Sequence, residues 1–113
     1  MTAETQILDV HFLYGQKIKI YYKDREKQEY LEKAIEACKQ QIKIAPKAAK
    51  AFRTEYKDSS LPSHQGYKQL AIILEKQGHF REAIELCVQA DKEGWAGDWQ
   101  KRIERCKKKL KKA

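Results

Sequence analysis

Apolar and polar residues follow one another along this chain in the three- and four-residue steps of amphipathic helices. Ile7, Val10, His11, Tyr14, Ile18 and Tyr21 mark one face of a first helix over about Thr5–Lys23. Phe12, Leu13, Ile20 and Tyr22 widen that face enough for cover on two sides. After a polar junction at Asp24–Glu26, the positions Tyr30, Leu31, Ala34, Ile35, Cys38 and Ile42 stripe a second helix over about Lys27–Ile44. Ala45 stands before Pro46, whose ring disfavours helix in the preceding residue, so a break is expected there. Lys47–Tyr56 is alanine-rich and predicts a short helix, and Lys57–Ser63 reads as a loop.

Ser63 is placed to cap the next helix, which runs to about Lys76 with Tyr67, Leu70, Ala71, Ile73 and Leu74 inward. Gly78 ends it, because glycine enters the left-handed conformation with no Cβ penalty. A partner helix follows over about Phe80–Lys92, closed by Gly94. The connection Gly94–Trp99 leads to Asp98 as N-cap of a final helix to about Lys111, striped by Ile103, Cys106 and Leu110. The expected class is all-α, one domain over residues 1–113.

The chain also repeats itself. Laying FREAIELCVQA on LEKAIEACKQQ sets Phe80 on Leu31, Ala83 on Ala34, Ile84 on Ile35, Glu85 on Glu36 and Cys87 on Cys38. The fuller copy carries Tyr67, Leu70, Ala71, Leu74, Gly78, Phe80, Ala83, Cys87 and Ala90 at spacings that resemble the tetratricopeptide repeat family. Leu74 and Cys87 stand where that family usually has aromatic rings, and Trp95 where it usually has proline. The upstream copy keeps the proline as Pro46 but has Glu29 in place of the turn glycine.

The resemblance implies antiparallel helical hairpins: one over about 5–46, an insert at 47–62, a second over about 63–93, and a basic capping helix at 98–111. Ala34 and Ala83 stand 49 residues apart, against a family period of about 34, and the insert accounts for the excess. It implies a non-enzymatic adaptor that binds a peptide or helical partner in a groove formed by the first helix of each hairpin. On that side Lys68, Gln69, Ile72 and Lys76 are the expected partner contacts. The Lys and Asn set with which some members clamp a terminal carboxylate is not reproduced. Two hairpins leave apolar faces to cover, and the first helix, the insert or a second copy of the chain, as a homodimer, are the candidates.

Charge adds a rival reading. The net charge is +8, and residues 98–113 alone carry eight Lys or Arg against two Asp or Glu. Lys101, Arg102, Arg105, Lys108 and Lys109 could contact an anionic partner, nucleic acid being the alternative to a protein partner. Basic residues near a helix C-terminus also complement its dipole. No second basic cluster or interleaved aromatic platform accompanies the tail, and its apolar edge is too narrow for membrane binding.

Candidate chemistry is sparse. His11, His64 and His79 are isolated, with no metal-ligand spacing and no cofactor motif; His11 reads as a core histidine. Cys38 and Cys87 repeat on apolar faces and read as small buried hydrophobes, whereas Cys106, among basic residues, is the thiol worth testing for reactivity. Trp95 and Trp99 either pack back on the preceding helix or form a docking patch. Of Tyr21 and Tyr22, one is expected to be exposed or to line a groove. The start MTAETQILDV lacks the basic-then-apolar pattern of a secretory signal, so the expected location is cytoplasmic.

Overall fold

In the computed structural model, which describes residues 3–112 apart from the side chain of residue 4, six helices follow one another. They are α1 (Ala3–Lys23), α2 (Gln28–Lys43), α3 (Ala45–Glu55), α4 (Gln65–Lys76), α5 (Phe80–Glu93) and α6 (Trp99–Lys112). The all-helical expectation holds, and among the described residues β-pairing is limited to one isolated bridge between Ser63 and Ala96. Among the described residues no helix is long and apolar enough to cross a membrane.

The packing runs α3 on α1, α1 on α2, α2 on α4, α4 on α5 and α5 on α6. Small residues let these helices approach. Ala45, Ala48, Ala49 and Ala51 are all buried along α3, Ala34 and Ala37 on α2, and Ala83 and Ala90 on α5. Ile18, fully buried, fills the seam between α1, α2 and α4 with Cys38 and Leu70. The insert expected at 47–62 is therefore a working part of the core: α3 covers α1, and Leu8 and Phe52 join its cluster.

Two local expectations are corrected. The break at Ala45–Pro46 lasts a single residue, because Pro46 sits in the first turn of α3, where its missing N–H has no helical partner to lose. The cap of α4 is His64 rather than Ser63: its Nδ1 accepts the Tyr67 N–H at 3.0 Å. Ser63 is instead held in the bridge to Ala96, whose N–H donates to the Pro62 carbonyl at 3.1 Å.

Both glycine turns form as expected. Gly78 (φ 81°) and Gly94 (φ 91°) take the left-handed conformation, and the next residue's N–H returns to a carbonyl in the last turn, His79 to Leu74 and Trp95 to Ala90.

Candidate functional site

The polar centre of the molecule is a knot of rings. His11 of α1 lies parallel to Trp95, with centroids 5.7 Å apart, and meets His64 at 5.3 Å and Phe52 at 5.4 Å. His64 in turn contacts Trp95 at 4.7 Å and Tyr67 at 4.6 Å. Because His64 Nδ1 accepts a hydrogen bond, its proton resides on Nε2. Burial lowers His11 to about 4 and His64 to about 3, so both are neutral near pH 7.

Side chains complete the knot. Gln41 donates to the His11 carbonyl at 2.8 Å and accepts the Gly66 N–H at 2.6 Å, tying α2 to α1 and α4. The Glu93 carboxylate accepts the Tyr67 hydroxyl at 2.9 Å and the Trp95 indole N–H at 2.9 Å, and Gln89 donates to Tyr67 Oη at 2.7 Å. The indole of Trp99 donates to the Trp95 carbonyl at 2.8 Å. Both tryptophans are thus built into the core, which removes them as a docking patch. Gln41 and Glu93 were not singled out from the sequence. The signal for Gln41 is its register, three residues beyond buried Cys38 and four beyond buried Ala37.

The thiols are inert by environment. Cys38, Cys87 and Cys106 are all buried and free. Burial pushes Cys38 up to about 12 and Cys87 to about 11. It also raises Cys106, outweighing Arg105, Lys109 and Arg102. Cys106, the thiol singled out for testing, is thus a buried face residue of the last helix: α6 turns it onto α5 and leaves the lysines outside. Among the described residues no three His, Cys, Asp or Glu gather as a metal-holding group.

A hollow of about 460 Å³ lies between α2, α4 and α5. Ile35, Leu70, Leu74 and Leu86 form its apolar floor. Glu82, Glu85 and Gln89 of α5 rim one side, and Lys39 of α2 the other, with Gln77 and His79 at the turn. Leu74, which departs from the aromatic ring usual in the repeat pattern it resembles, lines this hollow.

None of Lys68, Gln69, Ile72 and Lys76 lines this hollow. Leu70 and Ile72 are two residues apart on one helix and so point to nearly opposite sides. Lys68 is exposed, Ile72 half-buried, and Lys76 exposed with its ammonium donating to Tyr22 Oη at 3.3 Å. Lys76 lines a smaller hollow of about 130 Å³ with Tyr22, Arg25, Leu31 and Ile73. Gln69 is only 9% exposed and offers little surface to a partner. Tyr21 and Tyr22 are both half-buried: Tyr21 leans on Tyr30, while Tyr22 lies under Arg25 at 4.5 Å.

The basic set on α6 divides. Arg105 donates twice to Glu75, at 2.7 and 2.9 Å, and Lys109 once at 2.9 Å, so both clamp α6 to α4. Arg102 pairs with Asp98 at 3.2 Å. Lys101 and Lys108 remain exposed, beside Lys107, Lys111 and Lys112. Comparisons with protein families, curated proteins and solved structures give no match. The functional reading accordingly rests on the geometry of the chain itself.

Proposed function

We propose that this chain is a non-enzymatic protein-interaction module of tetratricopeptide-like build, whose partner element lies in the hollow between α2, α4 and α5. The order of packing, α1 on α2 and α4 on α5 with glycine at the α4–α5 turn, supports that build. The observation that carries the function is the hollow itself. Its apolar floor of Ile35, Leu70, Leu74 and Leu86 suits Leu-like side chains presented at helical spacing, and Glu82 and Glu85 on its rim suit a basic residue beside them. The occupant is thus a short amphipathic segment with one or more Lys or Arg.

Selection from a displayed library of random peptides tests this. Enriched sequences should pair apolar residues three and four apart with Lys or Arg, and Leu86→Glu should abolish their binding. Reversing the rim with Glu82→Lys and Glu85→Lys should turn the preference toward acidic peptides. Binders that survive these changes but fail with Lys68→Glu or Ile72→Glu would move the site to the opposite face of α4.

A second reading, nucleic-acid binding through α6, draws on the exposed Lys101, Lys107, Lys108, Lys111 and Lys112. Such binding falls steeply with added salt through loss of counterion release. Uptake of an amphipathic peptide into the hollow should hold over the same range.

A further inference from the structure

α1 is apolar around most of its circumference. One side, with Leu8, His11 and Ile18, is buried against its neighbours. The other leaves Leu13 and Ile20 at 50% and 65% exposure, with Val10 beside them. Phe12, 53% exposed, lies about 100° round the helix from Leu13 and packs instead on Phe52, which touches Tyr56 just past α3. Among the described residues, four of the six large hydrophobics that stay exposed belong to α1, and three of these, Val10, Leu13 and Ile20, fall three and seven residues apart on one strip. Contiguous exposed apolar surface of this kind marks interaction faces.

The charges along the strip are sorted by end. Asp9 stands near the start of α1, whereas Lys17, Lys19 and Lys23 stand toward its end, all exposed. We propose that this face binds a second copy of the chain, with α1 packed antiparallel on its partner about a two-fold axis at Leu13. Asp9 and Lys17 lie four residues to either side of Leu13. In this register Asp9 of each copy therefore meets Lys17 of the other, while Leu13 meets its own image. In the same register Val10 meets Gln16 of the other copy and Ile20 meets Gln6, apolar side chains against uncharged amides. A parallel pairing sets Lys17, Lys19 and Lys23 against their own copies. The two-fold arrangement needs one patch complementary to itself, and a strip acidic at one end and basic at the other has that property. The face shares no lining residue with the hollow between α2, α4 and α5, so self-association and peptide uptake are separable.

Sedimentation equilibrium of the 113-residue chain tests the proposal. A reversible dimer is expected, and Leu13→Lys should weaken it by at least about tenfold in Kd with unchanged helical circular dichroism. Leu13 is half-exposed, so the change leaves the fold intact. Asp9→Lys should also weaken the dimer, and adding Lys17→Asp to it should restore association. The native thiols are all buried, so Leu13→Cys introduces a single accessible thiol and should oxidise to a linked dimer. A monomer at every concentration, or a dimer that Leu13→Lys leaves intact, overturns the proposal. A dimer broken by Leu13→Lys but neither rescued by the charge exchange nor trapped by Leu13→Cys overturns the antiparallel pairing.

Discussion

Gln41 and Gly66 are fitted to each other: the amide oxygen of one accepts the backbone N–H of the other at 2.6 Å, and a Cβ at Gly66 would stand only 2.8 Å from that oxygen. The same Cβ would meet the Cys38 carbonyl at 3.0 Å, so neither the side chain nor the helix behind it leaves room. The small residue in the first turn of α4 is what lets α2 approach closely enough for Gln41 to reach both α1 and α4.

Gly66→Ala should therefore destabilise the protein by about 1–3 kcal/mol through overpacking, even though alanine favours helix. Gln41→Ala should cost about 1–3 kcal/mol by leaving buried partners unpaired. Combined, the two should cost less than their sum, because the shortened side chain frees the space that the new methyl needs. Chemical denaturation followed by circular dichroism measures all three. Strict additivity would mean that the pair is not in contact.

Stability should fall on mild acidification. His11 and His64 titrate at about 4 and 3 in the folded chain, against an ordinary value of 6.5. Above 6.5 both states hold the rings neutral and stability is unaffected by them. Below 6.5 the unfolded chain takes up protons that the folded chain refuses, until the folded values are reached. Two such rings predict a loss of roughly 3 kcal/mol between neutrality and one pH unit below the ordinary histidine value. His64→Asn keeps a helix cap and removes one titration, so it should about halve the loss measured by denaturation at each pH. An undiminished slope would place the acid sensitivity elsewhere.

A second acid window opens lower. Hydrogen bonds from Arg105 first, and then Lys109, hold the Glu75 carboxyl down to about 2, against partial burial that acts the other way. Its contribution is complete above the ordinary value of 4.5 and is lost as pH falls toward 2. The cations are about half exposed, so Glu75→Gln should cost no more than about 1 kcal/mol at neutral pH. It should also reduce the sensitivity of the melting temperature to salt. Equal salt dependence in both proteins would show that the clamp between α4 and α6 carries no stability.

All three thiols should be protected from an aqueous disulfide reagent in the native protein and should react after denaturation. Cys106 is the informative one, since its basic neighbours argue for reactivity and its burial against it. Rapid native labelling of Cys106, located by mass spectrometry, would show that α6 is not seated on α5.

Ala83, 1% exposed, lies in the cluster of small residues between the helices. Ala83→Leu should cost about 1–3 kcal/mol in denaturation experiments. A variant as stable as the parent would mean that α5 does not pack through this face.

The elements were legible because their signals are local. Helical periodicity, the Pro46 break and the glycines at 78 and 94 each act within a few residues, and the repeat placed Ala34, Ala83, Cys38 and Cys87 in the core. The polar centre was not legible, because its partners come from distant parts of the chain. Gln41 looks like a surface residue until α1 and α4 meet around it. Ser63 reads as the cap of α4 until the bridge to Ala96 claims the serine and His64 takes its place. At Cys106 the stripe with Ile103 and Leu110 outweighs the basic neighbours, because sequence neighbours on a helix point in different directions. The hollow between α2, α4 and α5 depends on how two hairpins lie together, and the repeat pattern does not specify that angle.

In an array of helical repeats each unit touches only its neighbours, and stability accumulates unit by unit. His11 and Trp95 break that rule by stacking across most of the chain's length, while Arg53 donates to the Glu93 carbonyl at 2.8 Å and the Pro62 carbonyl accepts from Ala96. The first of these joins fastens the first third of the chain to the last, and the other two fasten the middle third to the last. The chain is therefore joined as a closed clasp rather than an open stack: freeing either end, or splicing a unit into the middle, would part the rings that hold the clasp shut.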